Sequence, residues 1–225
     1  FEYTAFRERR FQPLSHASTA YFVYSIYHTI IEASVIMNQV DFILNFLKDR
    51  NIGAVTPTSK IALKKVFSYI DFSRDLTIVE YGPGNGISTR GLLERMSPRS
   101  SLIAIEANPT FAEYLYNISD PRLTVIKGYA QNVVSILSEA GSPPADYIVS
   151  SIPFTFITDS VRNHITRQTH KALALGGAFV VYQYSFLMKP YIKTVFGSGK
   201  TGLAPINIPS IFIMKGQKSN QKALR

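Results

Sequence analysis

Between Thr77 and Thr89 the sequence reads Thr77-Ile-Val-Glu-Tyr-Gly-Pro-Gly-Asn-Gly-Ile-Ser-Thr89. A short apolar run passes through three alternating glycines into a stretch of helical pattern, Ser88 to Met96. About twenty residues further on, the spacing of a nucleotide-binding βαβ unit, a second apolar run from Ser101 to Ile105 ends in Glu106. Few folds tolerate this order. Gly82, Gly84 and Gly86 admit backbone angles that a side chain forbids, and they let the main chain approach a ligand closely. Glu106, closing the second strand, is placed to accept hydrogen bonds from two ribose hydroxyls. The dinucleotide fingerprint wants another glycine where Ile87 stands, and Glu80 at the end of the first strand is untypical of that class. A tight strand-to-helix turn without a ligand is the plain alternative. Strand, spacing and Glu106 together weigh against it.

Hydrophobic residues make up 46% of the 225, enough for a core in one large domain or one domain with an extension. With no cysteine and four scattered histidines, the chain has no disulfide framework, no thiolate site and no histidine pair spaced for a metal. The formal charge is +9, and all 15 acidic residues lie at or before Asp159. A C-terminal third that is basic throughout points to an anionic partner, either nucleic acid or a lipid surface. A solubilising face with a basic tail is the alternative.

The chain divides into an N-terminal helical extension (1–50), a ligand-binding domain (51–215) and a basic tail (216–225). In the extension, Ile26, Ile30, Ile31 and Val35 follow the three-and-four spacing of an amphipathic helix. His28, Glu32 and Asp41 interrupt it too often for a membrane span. One long or two shorter helices would lie on the domain, on a second copy of the chain, or on a membrane surface.

The form Glu80-x-Gly82-x-Gly84-x-Gly86 resembles the first motif of class I methyltransferases that use S-adenosylmethionine. Upstream stand Phe46-Leu47, a polar link, Ile52-Gly-Ala-Val-Thr-Pro-Thr-Ser59, and a helix from Ser59 to about Tyr69. Joined to the glycine motif, this order resembles the bacterial phospholipid N-methyltransferases, relatives of the ribosomal RNA adenine dimethyltransferases. The likeness covers Phe46 to Met214. It implies a Rossmann-like α/β fold, doubly wound, with a mostly parallel seven-stranded sheet. It also implies S-adenosylmethionine as cofactor, held by Glu80 near its methionine end, by Gly82, Gly84 and Gly86, and by Glu106 and Ala107. Tyr129, Ala130 and Ser150 complete the expected cofactor set.

The third strand, Leu123 to Lys127, leads into Gly128-Tyr-Ala-Gln131, which lacks the acid that in these relatives often meets the adenine amino group. Gln131 or a backbone amide would substitute, with Tyr129 stacking on the ring. The fourth strand, Asp146 to Ser150, ends in Ser151-Ile-Pro-Phe154 at the substrate end. Adenine-directed relatives usually carry Asn-hydrophobic-Pro-aromatic there, the Asn side chain and a backbone carbonyl holding the amine. The lipid branch tends to carry Ser-Gly-Leu-Pro, which Ser150-Ser-Ile-Pro153 fits better, with Ser151 in place of glycine. Ser151, Pro153, Phe154 and Tyr184 are therefore the catalytic candidates. Tyr81, Phe154, Tyr182 and Tyr184 are candidates for an aromatic wall, and each fits a core position equally.

Downstream, the pattern predicts a helix from Thr158 to Ala174 closed by Leu175-Gly-Gly177, then a strand from Ala178 to Tyr184. A helix from Met188 to Phe196, a flexible loop from Gly197 to Gly202 and a last strand from Ile206 to Met214 follow. In that strand Asn207 and Pro209 echo an Asn-x-Pro-Pro run of the lipid branch. The expected activity is methylation of the ethanolamine amine of a phospholipid by a cytoplasmic protein, peripheral at the inner face of the membrane. An RNA adenine N6-methyltransferase is the second expectation, and a catalytically silent cofactor-binding adaptor the third. The corresponding partners are an anionic membrane or phospholipid, RNA, and a second copy joined through the N-terminal helices.

Overall fold

A computed structural model describes residues 60–204 and 211–219. The expected N-terminal helices, Asn207 and Pro209 lie outside the described residues. Seven strands form one sheet: β1 (Thr77–Tyr81), β2 (Ser101–Glu106), β3 (Leu123–Lys127), β4 (Ala145–Ser150), β5 (Leu173–Gln183), β6 (Gly199–Ala204) and β7 (Ile211–Gln217). Their order is β3-β2-β1-β4-β5-β7-β6. The first five run parallel, and β7 pairs antiparallel with both β5 and β6. Parallel strands with helical crossovers bury both faces, which is why β1, β2 and β4 read as nearly unbroken apolar runs.

The helices are α1 (Lys60–Phe67), α2 (Ile87–Leu93), α3 (Pro109–Tyr116), α4 (Val133–Glu139), α5 (Asp159–Ala172) and α6 (Lys189–Phe196). One sheet face carries Ile78, Leu102, Val149, Val180 and Ile213, packed under Leu63, Val66 and Phe67 of α1 and Leu92 of α2. Each fully buried aliphatic side chain of this layer contributes roughly 2 kcal/mol of transfer free energy. On the opposite face Phe179 meets Phe196 of α6 at 6.3 Å between ring centroids and Tyr81 at 6.3 Å. The alternation of side chains along β1 therefore sends Glu80 and Tyr81 to opposite layers. This division decides which of the expected site residues can meet.

Three expectations are corrected, and one helix is added. Leu175, Gly176 and Gly177 do not close a helix, since β5 begins at Leu173 directly after α5. Gly177 is required there because a Cβ would lie 2.9 Å from the Ala145 carbonyl oxygen, where the β4–β5 register shifts. The glycine-rich segment Gly197 to Gly202 is not a loop throughout. Residues from Gly199 form the edge strand β6, and Gly202 leaves room for the Tyr69 hydroxyl. The start of the expected basic tail is also structural. Gly216 and Gln217 continue β7, and Lys218 exchanges backbone hydrogen bonds with Gly176 and Gly177. The Lys218 Nζ donates to the Leu173 carbonyl at 2.6 Å. Finally, α4 has no counterpart in the sequence reading.

Candidate functional site

The C-terminal ends of β1, β2, β4 and β5 converge at the glycine turn. Gly82, Gly84 and Gly86 have φ of +65°, +56° and +76°, angles that only glycine adopts without strain. Their surroundings differ. A Cβ on Gly82 would lie 3.1 Å from Ile152 Cγ1, and one on Gly86 would meet Leu115 Cδ2 at 3.0 Å and Ile118 Cδ1 at 3.1 Å. A Cβ on Gly84 would meet nothing within 4 Å. Gly86 thus serves helix packing, Gly82 the neighbouring turn, and Gly84 borders open space.

Glu106 closes that space on the β2 side. Its Oε2 accepts the Gly84 N–H at 2.9 Å and its Oε1 the Asn108 N–H at 2.8 Å. Burial raises its pKa, while the amides of Asn108, Gly84 and Ala107 pull it back down. Each carboxylate oxygen keeps a second lone pair, so the group retains acceptor capacity for hydroxyls. Asn108 holds this corner by capping α3, its side chain accepting the Thr110 N–H at 2.9 Å and the Phe111 N–H at 3.3 Å. Next to it, Tyr129 is 36% exposed at the turn after β3 and Ala130 is buried. Both lie in the turn that follows β3.

Glu80 is fully buried, with its Oε2 accepting the Thr89 hydroxyl at 2.7 Å. Its Oε1 has no hydrogen-bond partner among the described residues, nor has the Ser88 hydroxyl. Burial pushes Glu80 up to about 7, with the Thr89 hydroxyl pulling down and the Glu106 charge pushing up. Tyr182 stands in the same layer. Burial raises its phenol, the Glu80 charge raises it further, and the hydroxyls of Ser88 and Ser151 lower it. Thr89 and Ser88 were missed in the sequence, although polar residues opening a helix just after an acidic strand end are a usable signal.

The Ser150-Ser151 turn faces this corner. Tyr81, Ser150 and Val181 lie level across β1, β4 and β5, so Gly82, Ser151 and Tyr182 follow one step beyond. The Ser151 hydroxyl donates to the Gly82 carbonyl at 2.6 Å, and the Ser151 N–H to the Tyr81 carbonyl at 3.2 Å. Ser150 is buried, and its hydroxyl accepts the Ile152 N–H at 3.3 Å. Pro153 caps the short 3-10 turn that carries Phe154. Tyr184 is half-buried at the end of β5, and burial raises its phenol.

Two of the proposed wall residues do not line the site. The Tyr81 hydroxyl shares a 3.1 Å hydrogen bond with Thr169 of α5 in the opposite layer. Phe154 is wholly buried and offers no free ring face. Its carbonyl accepts the Ile157 N–H at 3.1 Å and Arg162 Nη1 at 3.4 Å. Arg162 was not singled out in the sequence.

A model of the ribosomal RNA adenine dimethylase family matches residues 38–175. An ornithine lipid N-methyltransferase of Singulisphaera acidiphila is 23% identical over 161 residues, covering 70% of this chain and 84% of that protein. A ribosomal RNA small subunit methyltransferase A of Chlorobium phaeobacteroides is 31% identical over 130 residues. That match covers 58% of this chain and 42% of the relative, so the chain spans less than half of that relative's length. Among solved structures, a Burkholderia thailandensis 1,6-didemethyltoxoflavin-N1-methyltransferase, with its substrate and S-adenosylhomocysteine bound, superposes with a TM-score of 0.61. The match covers 84% of this chain and 89% of that one at 12% identity, and so it speaks for the fold.

Proposed function

We propose, from the premise that this chain belongs to the ribosomal RNA adenine dimethylase family, that it methylates the ethanolamine headgroup amine of a phospholipid. The chain is an S-adenosylmethionine-dependent methyltransferase. The residues present suit that cofactor. The space beside Gly84 would take its body, Glu106 and Ala107 its ribose, and Tyr129 and Ala130 its base. The unpartnered Glu80 Oε1 would receive cationic groups of its methionine end. S-adenosylmethionine supplies an electrophilic methyl group on a sulfonium.

The observation that carries the lipid reading is the hydrogen bond from Ser151 to the Gly82 carbonyl, at 2.6 Å. It spends the side chain at the acceptor turn on the glycine turn and leaves no carboxamide there to grip a planar exocyclic amine. An alkyl amine needs less. It must be neutral, aligned and shielded from water. Its ammonium has a solution pKa of roughly 10, like lysine, and burial lowers that value so that no strong protein base is required. Ser151 and Pro153 set the direction of the turn, while the rings of Tyr182 and Tyr184 supply faces that tolerate the growing cationic product.

Attachment to an anionic membrane surface belongs to the same reading. No acid follows Asp159 in the sequence. Phe186 and Leu203 are 45% and 43% exposed near this end of the sheet, and the Phe186 ring lies 3.9 Å from that of Phe212. No helix among the described residues is long and apolar enough to cross a membrane.

An RNA adenine acceptor is the second reading, favoured by the 31% identity to the Chlorobium relative. Labelled S-adenosylmethionine offered to phosphatidylethanolamine vesicles and to total RNA separates the two. Label in methylated ethanolamine lipid is the expected result. Label in RNA alone overturns it.

A further inference from the structure

Arg162 of α5 has no role in the chemistry of the site, yet its side chain reaches the acceptor turn. Its Nη1 donates to the Phe154 carbonyl at 3.4 Å. Its Nε is buried without a hydrogen-bond partner among the described residues. An unpaired buried donor on a charged group is costly and calls for a partner.

The neighbours leave the charge unneutralised. The acid closest in sequence, Asp159, accepts the Tyr191 hydroxyl at 2.5 Å. No carboxylate among the described residues lies within ion-pair distance of Arg162. The guanidinium carbon lies 5.3 Å from the centroid of the Tyr191 ring. Stacking on a ring occupies the face of a guanidinium and leaves its edge donors available. Arg162 as a whole is half-buried, and a guanidinium with one terminal nitrogen held at a carbonyl can still give a charge-assisted hydrogen bond to a phosphate oxygen from its other terminal nitrogen.

We propose that Arg162 binds the phosphodiester of the methyl acceptor, fixing the distance from anion to amine. This rests on the acceptor turn lying at Ser151 to Phe154, as in the reading above. In an ethanolamine phospholipid only two carbons and one oxygen separate nitrogen from phosphorus. An anion held beside the Phe154 carbonyl therefore keeps the amine at the turn. An RNA phosphate would satisfy the same guanidinium, so the shared chemistry is a phosphodiester monoanion.

The test titrates glycerophosphoethanolamine and inorganic phosphate onto the S-adenosylhomocysteine-loaded protein. The wild type is compared with Arg162→Gln and Arg162→Lys, after thermal melting has established that each variant is folded. Arg162→Gln is expected to weaken binding of both probes by about tenfold or more, the loss of one charge-assisted contact. Arg162→Lys, which keeps the charge without the fork, falls between. S-adenosylhomocysteine affinity stays unchanged, which a general structural effect would not allow. Equal probe affinity in a folded Arg162→Gln protein overturns the proposal. Methyl transfer to vesicles and to RNA separates this from the lipid reading. If the wild type labels only RNA while probe binding still depends on Arg162, the anchor stands and the lipid reading falls. If it labels lipid and Arg162→Gln leaves the KM for lipid unchanged, the anchor falls and the lipid reading stands.

Discussion

The Ser151 hydroxyl reaches across to donate to the Gly82 carbonyl at 2.6 Å, joining residues 69 positions apart. The bond ties the acceptor turn to the glycine turn, so the two halves of the site hold one another in place. Ser151→Ala removes it and is expected to cost about 1 kcal/mol, the usual worth of one such bond. Methyl transfer should fall by about tenfold while S-adenosylhomocysteine affinity changes by less than about threefold, because alignment rather than binding is lost. Ser151→Thr, which keeps the hydroxyl, should retain most of the activity. Undiminished turnover and melting temperature in Ser151→Ala would sink the idea.

Gly84 and Gly86 share a left-handed backbone, with φ of +56° and +76°. Alanine at either position bears the same backbone strain of roughly 1–2 kcal/mol. Only Gly86→Ala adds a collision, with Leu115 Cδ2 at 3.0 Å and Ile118 Cδ1 at 3.1 Å. Thermal melting should therefore show Gly86→Ala as the less stable variant. Calorimetric titration with S-adenosylmethionine should show Gly84→Ala losing at least as much affinity, since its new methyl group enters the open space. The reverse ranking in both measurements would place the ligand elsewhere.

What the sequence makes legible here is what is local. The strand, three glycines, helix and second strand with Glu106 at its end depend on neighbours in the chain, and they stand as read. Strand β6 was illegible because Gly-Lys-Thr-Gly has loop composition, and pairing with β7 makes it a strand. The glycines at 176 and 177 look like a helix end, yet Gly176 takes a φ of +78° within β5 and Gly177 answers a close approach of β4. Tyr81 and Glu80 are adjacent in sequence and belong to opposite layers, a division that emerges once the sheet has two covered faces. Arg162 matters only because a folded turn brings the Phe154 carbonyl to it.

Glu80 makes a prediction about pH. Burial pushes its carboxyl up to about 7 from an ordinary 4.5, and the Glu106 charge adds to the effect. Between those values the folded protein holds a proton that the unfolded chain has released. Stability of the ligand-free protein must then fall as pH rises through that window. A cation beside the carboxylate reverses the preference, so cofactor binding below about pH 7 should release a proton, and affinity should climb with pH toward 7 and level off above it. Calorimetry at pH 6 in buffers of different ionisation enthalpy reads the release directly. Burial moves Glu106 in the same direction, so the comparison that isolates Glu80 is wild type against Glu80→Gln, which should lose the release and the pH dependence of affinity together. Proton uptake on binding, or a release that survives in Glu80→Gln, would mean that Glu80 does not meet the cationic end of the cofactor.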